Sequence, residues 1–126
     1  MAKDWIQITK ERVARLDAEV QDATLLKLAL RPELVRMEVK LAPAQGGRRL
    51  QLQFMGMTAL RSGELWKQNV FSGFEVSEVS QLPDVEREVL LDDGASPSSL
   101  VFTLPAAVGI RLQIACESGW TWDPRA

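Results

Sequence analysis

Residues 35–41 read Val-Arg-Met-Glu-Val-Lys-Leu, and residues 49–54 read Arg-Leu-Gln-Leu-Gln-Phe. In both runs every second residue is apolar, and the residues between are polar or charged. This period of two is typical of a β-strand that buries one face and leaves the other in water. Between the runs stands Gln45-Gly46-Gly47, whose glycines accept the positive φ angles of a tight turn. The two runs therefore predict an antiparallel hairpin.

The segment before this hairpin predicts a short helix and then a strand. Apolar residues recur at helical spacing from Val13 to Val20, and Thr9 is placed to cap a helix that ends near Glu19. The leucines at positions 26, 28 and 30 alternate as a strand requires, and the strand is favoured there. A helix that continues through residues 25–28 stays open as the alternative.

The segment after the hairpin predicts further strands. Met55-Gly56-Met57 breaks the alternation, and a glycine in such a run indicates a bend. The final third predicts three strands, Val85–Leu91, Leu100–Leu104 and Ile110–Cys116, separated by turn-forming residues.

Connections this short join antiparallel strands and cannot make parallel crossovers. The predicted fold class is mainly β (α+β): an antiparallel meander of about six or seven strands in a sandwich or a strongly curved sheet, with one short N-terminal helix. A chain of 126 residues fits a single domain over residues 1–126.

The chain lacks several of the residue types that most often carry out catalysis. The chain has no histidine, no tyrosine and one cysteine, Cys116, so it lacks the commonest general base and metal ligand. Cys116 is predicted to be a buried, unreactive thiol, and Gly46-Gly47 has no following helix to form a phosphate site. We therefore expect no enzyme activity, no cofactor and no metal.

Two acidic arrangements are candidate exceptions to this expected absence of catalytic and metal sites. Glu86 and Glu88 would share one face of the strand predicted at Val85–Leu91, and paired carboxylates can divide acid and base roles. A solvated strand face is the stronger interpretation. Asp92-Asp93-Gly94 could begin a calcium loop but lacks the further oxygen ligands, so an ordinary turn is expected.

The charge is distributed unevenly along the chain. The net charge of -2 argues against nucleic-acid and anionic-membrane binding, and residues 3–61 are mildly basic. Residues 75–93 are strongly acidic, which indicates either a solvated face or a surface for a basic protein partner. The acidic residues in question are Glu75, Glu78, Asp84, Glu86, Glu88, Asp92 and Asp93.

Trp120 and Trp122 are two positions apart on an apparently extended segment, so they are predicted to share a face. Core packing is the favoured role, and a part in partner binding is the alternative, because tryptophan is enriched at binding hot spots. The N-terminal sequence shows no secretory signal and the C-terminal sequence no lipidation motif, and with one cysteine these features favour a cytoplasmic location.

The layout resembles the small β-rich immunity proteins encoded beside bacterial polymorphic toxins. The resemblance is carried by the hairpin of residues 34–41 and 50–54, by Met55-Gly56-Met57 and by the closing strand Ile110–Cys116. It implies a cytosolic, non-catalytic protein that binds and neutralises one toxin, with the acidic stretch and the Trp120/Trp122 face as the expected partner-binding residues. It matches no fixed functional motif.

Two other classes stay open at this stage. One is a β-sandwich module that binds a small ligand or a carbohydrate, and the other is a structural subunit that self-associates through an open sheet edge.

Overall fold

The structure is a computed structural model that describes residues 5–44, 46 and 49–122. Within them are eleven strands, two α-helices and one-turn 3-10 helices at Pro32–Leu34 and Val79–Gln81. In chain order the elements are β1 (Trp5–Gln7), α1 (Lys10–Val20), β2 (Thr24–Arg31), β3 (Arg36–Ala42), β4 (Leu50–Met55), β5 (Ala59–Ser62), β6 (Val70–Phe71), β7 (Glu75–Glu78), α2 (Asp84–Asp92), β8 (Leu100–Leu104), β9 (Ala106–Val108), β10 (Leu112–Cys116) and β11 (Ser118–Trp122).

The hairpin predicted from residues 35–41 and 49–54 is confirmed as β3 and β4. Met37 pairs with Phe54 and Val39 with Leu52, and all four side chains are buried. The polar residues between them lie on the opposite face, as the period of two requires. In the turn Gly46 has a φ of 76°, whereas Gln45 and Gly47 lie outside the described residues.

The strands form two antiparallel sheets that pack face to face. One sheet has seven strands in the order β1-β11-β4-β3-β2-β6-β9, and the other has four in the order β5-β10-β8-β7. Their inner faces share one core, where the ring of Phe102 lies 5.3 Å from that of Phe54 and 5.6 Å from that of Phe74. The sandwich, one of the two predicted shapes, is the one formed.

At one corner of the sandwich the chain passes between the two sheets twice, along neighbouring paths, from β4 to β5 and from β10 to β11. The chain leaves β4 at Gly56, whose φ is 65°, and β5 begins in the other sheet at Ala59. Alongside, Glu117 separates β10 from β11, and its N–H donates to the carbonyl of Met55 over 3.0 Å. The predicted bend at Met55-Gly56-Met57 is confirmed, and it forms a corner that joins the two sheets.

The N-terminal helix is also confirmed, with Lys10–Val20 as its bounds. Leu16 and Val20 are buried, and the helix contacts β7. Asp17 fixes it there, because its Oδ1 accepts a hydrogen bond of 2.7 Å from the backbone N–H of Phe74.

The helix stops at Val20, and the strand favoured for the next segment is present as β2. A bulge between Leu25 and Lys27 shifts the register of β2 against β3. Leu26 falls within the bulge and is 45% exposed, whereas Leu28 packs against the core. Leu30 shares the face of Leu28 but lies near the end of β2, and it is 48% exposed.

The strand predicted at Val85–Leu91 is wrong, because these residues belong to helix α2. Leu90 turns inward onto Val101 and Ala115, which lie on the outer face of the four-stranded sheet. Burial of this apolar patch stabilises a helix more than alternation along the segment stabilises a strand. α2 therefore forms a third layer that covers the second sheet.

The mainly β, antiparallel class is confirmed, with differences in detail. Only β2, β3 and β4 follow one another as a meander, and the last predicted strand begins at Leu112 and not at Ile110. A second helix and several strands of two or three residues raise the number of elements above the predicted six or seven strands and one helix. Both α-helices of the described residues are too short and too polar to cross a bilayer.

Candidate binding surfaces

The three layers leave the molecule with two different outer sides. Helix α2 lies over the outer face of the four-stranded sheet, where Val101 and Ala115 contact it. On the other side, the outer face of the seven-stranded sheet is formed by alternate residues of β3, β4 and β11 that are only partly buried. The predicted acidic residues and the predicted tryptophans are divided between these two sides.

Three acidic residues of the predicted site form a stripe along α2, which we call the acidic ridge. Asp84, Glu88 and Asp92 are spaced by four residues, so they lie above one another on a single helix face, and all three are exposed. Val85, which is 74% exposed, lies beside them.

Glu86 and Glu88 do not share a face, which corrects the carboxylate pair predicted for a strand. Two positions along an α-helix correspond to a rotation of about 200°. Glu86 instead approaches Arg111, the residue before β10, with 3.5 Å between Oε1 and a guanidinium nitrogen. The two carboxylates therefore cannot act on one substrate atom.

The other acidic residues lie around α2 and on the sheet edge. Asp93 follows the last turn of α2, and Glu75 stands opposite Thr103 on the outer side of β7. Glu78 lies at the end of β7, in a cleft of about 590 Å³ that Lys10 also lines. The structure thus brings Asp84, Glu88 and Asp92 together, with Asp93 next to them, and separates Glu78 from the ridge.

The acidic ridge is an electrostatically unfavourable arrangement within the protein. Like charges four residues apart repel on a helix, and α2 has no basic residue in its last turn to offset the negative end of its dipole. Asp84 is the exception, because it lies in the first turn, near the positive end of the helix dipole, and the guanidinium of Arg87 lies 2.7 Å from its carboxylate. Such a conflict with local stability is typical of a binding surface.

Trp120 and Trp122 share a face, as predicted, and they lie outside the buried core that was favoured for them. They alternate with buried Gly119 and Thr121, so they project from the outer face of the seven-stranded sheet. Trp5 of β1 pairs with Trp122, and the two rings meet edge to face with centroids 5.4 Å apart. Nothing in the sequence pattern had singled out Trp5.

Beside these tryptophans the same face carries a cluster of cations. Lys27 of β2 stands directly opposite Lys40 of β3, and Arg31 stands opposite Arg36. The carboxylate of Glu38 forms ion pairs with both arginines, at 3.8 Å from Arg31 and 4.0 Å from Arg36.

A depression of about 200 Å³ lies between the tryptophans and the cations, lined by Trp5, Lys27, Ala29, Arg31, Glu38, Lys40 and Gln51 among others. We call this surface the cationic face. Sequence reasoning missed it because its cations come from strands whose pairing was unknown. The available signal was the row of charges alternating with the buried residues of the first hairpin.

Cys116 has the environment predicted for it. Its side chain lies in the core, and burial raises the pKa of the thiol to about 12. The thiol is therefore protonated at neutral pH, which removes its nucleophilic form. No cluster of acidic or cysteine side chains suited to a metal ion lies among the described residues, and Asp93 and Gly94 form a turn after α2.

A scan against protein-family models found none that matches this chain, and a search of curated proteins found no similar sequence.

Proposed function

We propose that this protein is a non-catalytic inhibitor that binds a basic protein partner through the acidic ridge of α2. By the resemblance of its sequence pattern to immunity proteins, the partner would be a cognate bacterial toxin and the site of action the cytoplasm. The observation that carries the proposal is the exposed stripe of Asp84, Glu88 and Asp92, which repels itself in the free protein. A basic partner would relieve that repulsion, and complementary charge would speed its association.

The proposed contact surface is narrower than the set of residues predicted from the sequence. Asp84, Glu88, Asp92 and Asp93 form its centre, and exposed Val85 supplies an apolar contact within the ridge. Glu86 lies on another face of α2 and points toward Arg111, and Trp120 and Trp122 lie on the opposite layer. A single flat partner surface therefore reaches the ridge without reaching the tryptophans.

Co-purification of the protein with the product of the neighbouring gene tests the proposal directly. If a complex forms, we expect the double variant Glu88→Lys/Asp92→Lys to slow association by about tenfold or more at low salt. The matched control is Glu33→Lys/Glu117→Lys, which changes the net charge equally at two exposed positions outside α2. Absence of a stable complex, or equal association rates for the two double variants, would contradict the proposal.

A further inference from the structure

The cationic face is a second surface, and its chemistry is opposite to that of the acidic ridge. We propose that it binds an extended acidic segment of a partner protein, with a carboxylate between Lys27 and Lys40 and an apolar side chain against Trp5 and Trp122. This inference does not rest on the inhibitor function, because the two surfaces lie on different outer sides of the sandwich.

The placement of the cations carries the acidic part of the proposal. Like charges directly opposite each other on neighbouring strands destabilise a sheet, and here two such pairs lie on one face, separated by the pair of Ala29 and Glu38. Glu38 offsets the repulsion between Arg31 and Arg36. Within the part of the chain that the structure describes, no carboxylate lies within ion-pair distance of Lys27 or Lys40, so a carboxylate from outside would be stabilised between them.

The depression fits a side chain at this place. Ala29, with its short side chain, lies between Lys27 and Arg31 along β2, and Lys40 stands on the neighbouring strand. Trp5 forms the wall on the other side, at the far edge of the sheet. A ligand in the depression would therefore meet cations at one end and an indole ring at the other.

The sheet geometry sets the spacing of the two anchor points. Trp5 pairs with Trp122, Lys40 pairs with both Gln51 and Lys27, and Trp122 follows Thr121, which pairs with Leu52. These residues therefore lie in one row across the face, in the order Trp5, Trp122, Gln51, Lys40 and Lys27. Neighbouring strands are about 4.8 Å apart, so the midpoint between the backbones of the tryptophan pair lies about 14 Å from that of the lysine pair. Four residues of extended chain span about 13 Å and return to the same side of the peptide.

The tryptophan geometry favours an apolar side chain over a sugar ring or a nucleic-acid base. Sugars and bases stack on a free indole face, but Trp5 and Trp122 lean on each other at an interplanar angle of 73°. The indole of Trp120 is held by a hydrogen bond of 3.0 Å to the hydroxyl of Ser118. A leucine or phenylalanine side chain packs against such an edge-to-face pair without needing a flat platform.

Two fluorescent peptides of identical composition test the proposal. Each carries one phenylalanine and one glutamate on a serine and glycine background, four residues apart in the first peptide and three in the second. We expect the first to bind about tenfold more tightly, because only its two side chains fall on the same side of an extended chain. NMR spectra should show shifts of the indole N–H signals of Trp5 and Trp122 but not of Trp66, which lies on the loop after β5.

Variants separate this surface from general electrostatics. Lys27→Gln/Lys40→Gln should weaken binding of the first peptide by about tenfold. The matched control Lys10→Gln/Lys67→Gln removes two exposed lysines elsewhere and should leave binding unchanged. Glu88→Lys/Asp92→Lys should also preserve peptide binding at physiological salt, so failure of one proposal is distinguishable from failure of the other.

Three outcomes would overturn the proposal. One is equal affinity for the two peptide spacings. Another is tighter binding of a thymidine oligonucleotide or a sulfated oligosaccharide, which would assign the face to a different class of polyanion. The third is self-association of the protein that Lys27→Gln/Lys40→Gln abolishes, which would make a second copy the occupant.

Discussion

Cys116 links the burial of a single side chain to the pH dependence of stability. An exposed thiol ionises with a pKa of 9.0, whereas burial raises the pKa of Cys116 to about 12. Above pH 9 the unfolded chain releases this proton while the folded chain keeps it, so the free energy of unfolding falls as pH rises toward 12. Below pH 9 the contribution is fully present.

Urea denaturation of the protein and of Cys116→Ala at pH 8, 9 and 10 measures this effect. We expect the stability difference between them to shrink by about 1 kcal/mol from pH 9 to pH 10. Other groups affect both proteins equally and cancel in the difference. Parallel pH profiles would show that the thiol ionises alike in the folded and unfolded states.

Gly56 makes the corner between the sheets possible. Its φ of 65° is left-handed, and a Cβ atom there would lie 2.6 Å from the side chain of Glu117. The Glu117 side chain is exposed and flexible and can move aside, so we expect Gly56→Ala to lower the free energy of unfolding by about 1–2 kcal/mol, mainly through the backbone conformation.

A double-mutant cycle separates the two causes. In the Glu117→Ala background no glutamate side chain has to move, so Gly56→Ala should cost nearly the same, about 1–2 kcal/mol, in denaturant unfolding. A clearly smaller cost in that background would show that the contact with Glu117 contributes.

At the scale of the element, α2 should become more stable when its charge pattern is broken. Glu88→Lys places a cation four residues from both Asp84 and Asp92, and it converts two repulsions into attractions. We expect a gain of about 0.5–1 kcal/mol in the free energy of unfolding at low salt, reduced at 1 M salt.

Glu88→Gln is the control for this prediction, because it removes the repulsion without adding an attraction and should give about half the gain. An unchanged or lower stability for Glu88→Lys would mean that the ridge is not locally unfavourable.

α2 also shows where sequence reasoning fails. Val85, Arg87, Val89 and Leu91 alternate with carboxylates and Leu90, which is a strand pattern, but the segment has only nine residues. The helix signals were at its borders, with Pro83 before the first turn, Asp84 and Glu86 within it, and Gly94 after the last. A short segment fits both periods, and packing against Val101 and Ala115 decided between them.

Among the strands predicted correctly, β3 and β4 are those in which the period of two and the burial agree along the whole strand. β8 lacks this alternation, because four of its five residues are buried, and the turn-forming residues on either side indicated its bounds. β6 has two residues and β1 and β9 have three, which is too few to show a period. Those strands exist because the sheet edge offers unpaired backbone groups, and that information is absent from their own sequences.

At the scale of the whole molecule, the two charged surfaces should act independently under physiological salt. The two sheets and α2 form three layers about 10 Å apart, so the two outer layers, which carry the charged surfaces, lie about 20 Å from each other. The Debye length is about 8 Å at 0.15 M salt and about 30 Å at 0.01 M.

We therefore expect Glu88→Lys/Asp92→Lys to change the affinity for the acidic peptide by less than about twofold at 0.15 M salt and to raise it at 0.01 M. The affinity is measured by fluorescence anisotropy at both salt concentrations. A large effect at 0.15 M would require coupling through the protein instead of through the solvent.

The sequence predicted the residue types of the candidate sites better than their grouping. Acidic residues 75–93 were identified as a unit, yet the fold places Glu78 in a cleft and turns Glu86 toward Arg111. The lysines at positions 27 and 40 drew no attention, because their proximity depends on a strand register that the bulge in β2 shifts. Grouping of this kind is a property of tertiary structure.

The pairing of β1 with β11 has a consequence for the order of events during synthesis. Trp5 pairs with Trp122, so β1 finds its neighbour only after the strands between them have been made. Ribosomes add about 5–20 residues per second, so this delay is on the order of ten seconds. Once β4 has been made, its edge stays open until β11 follows, and the nascent chain is then most exposed to aggregation and to capture by chaperones.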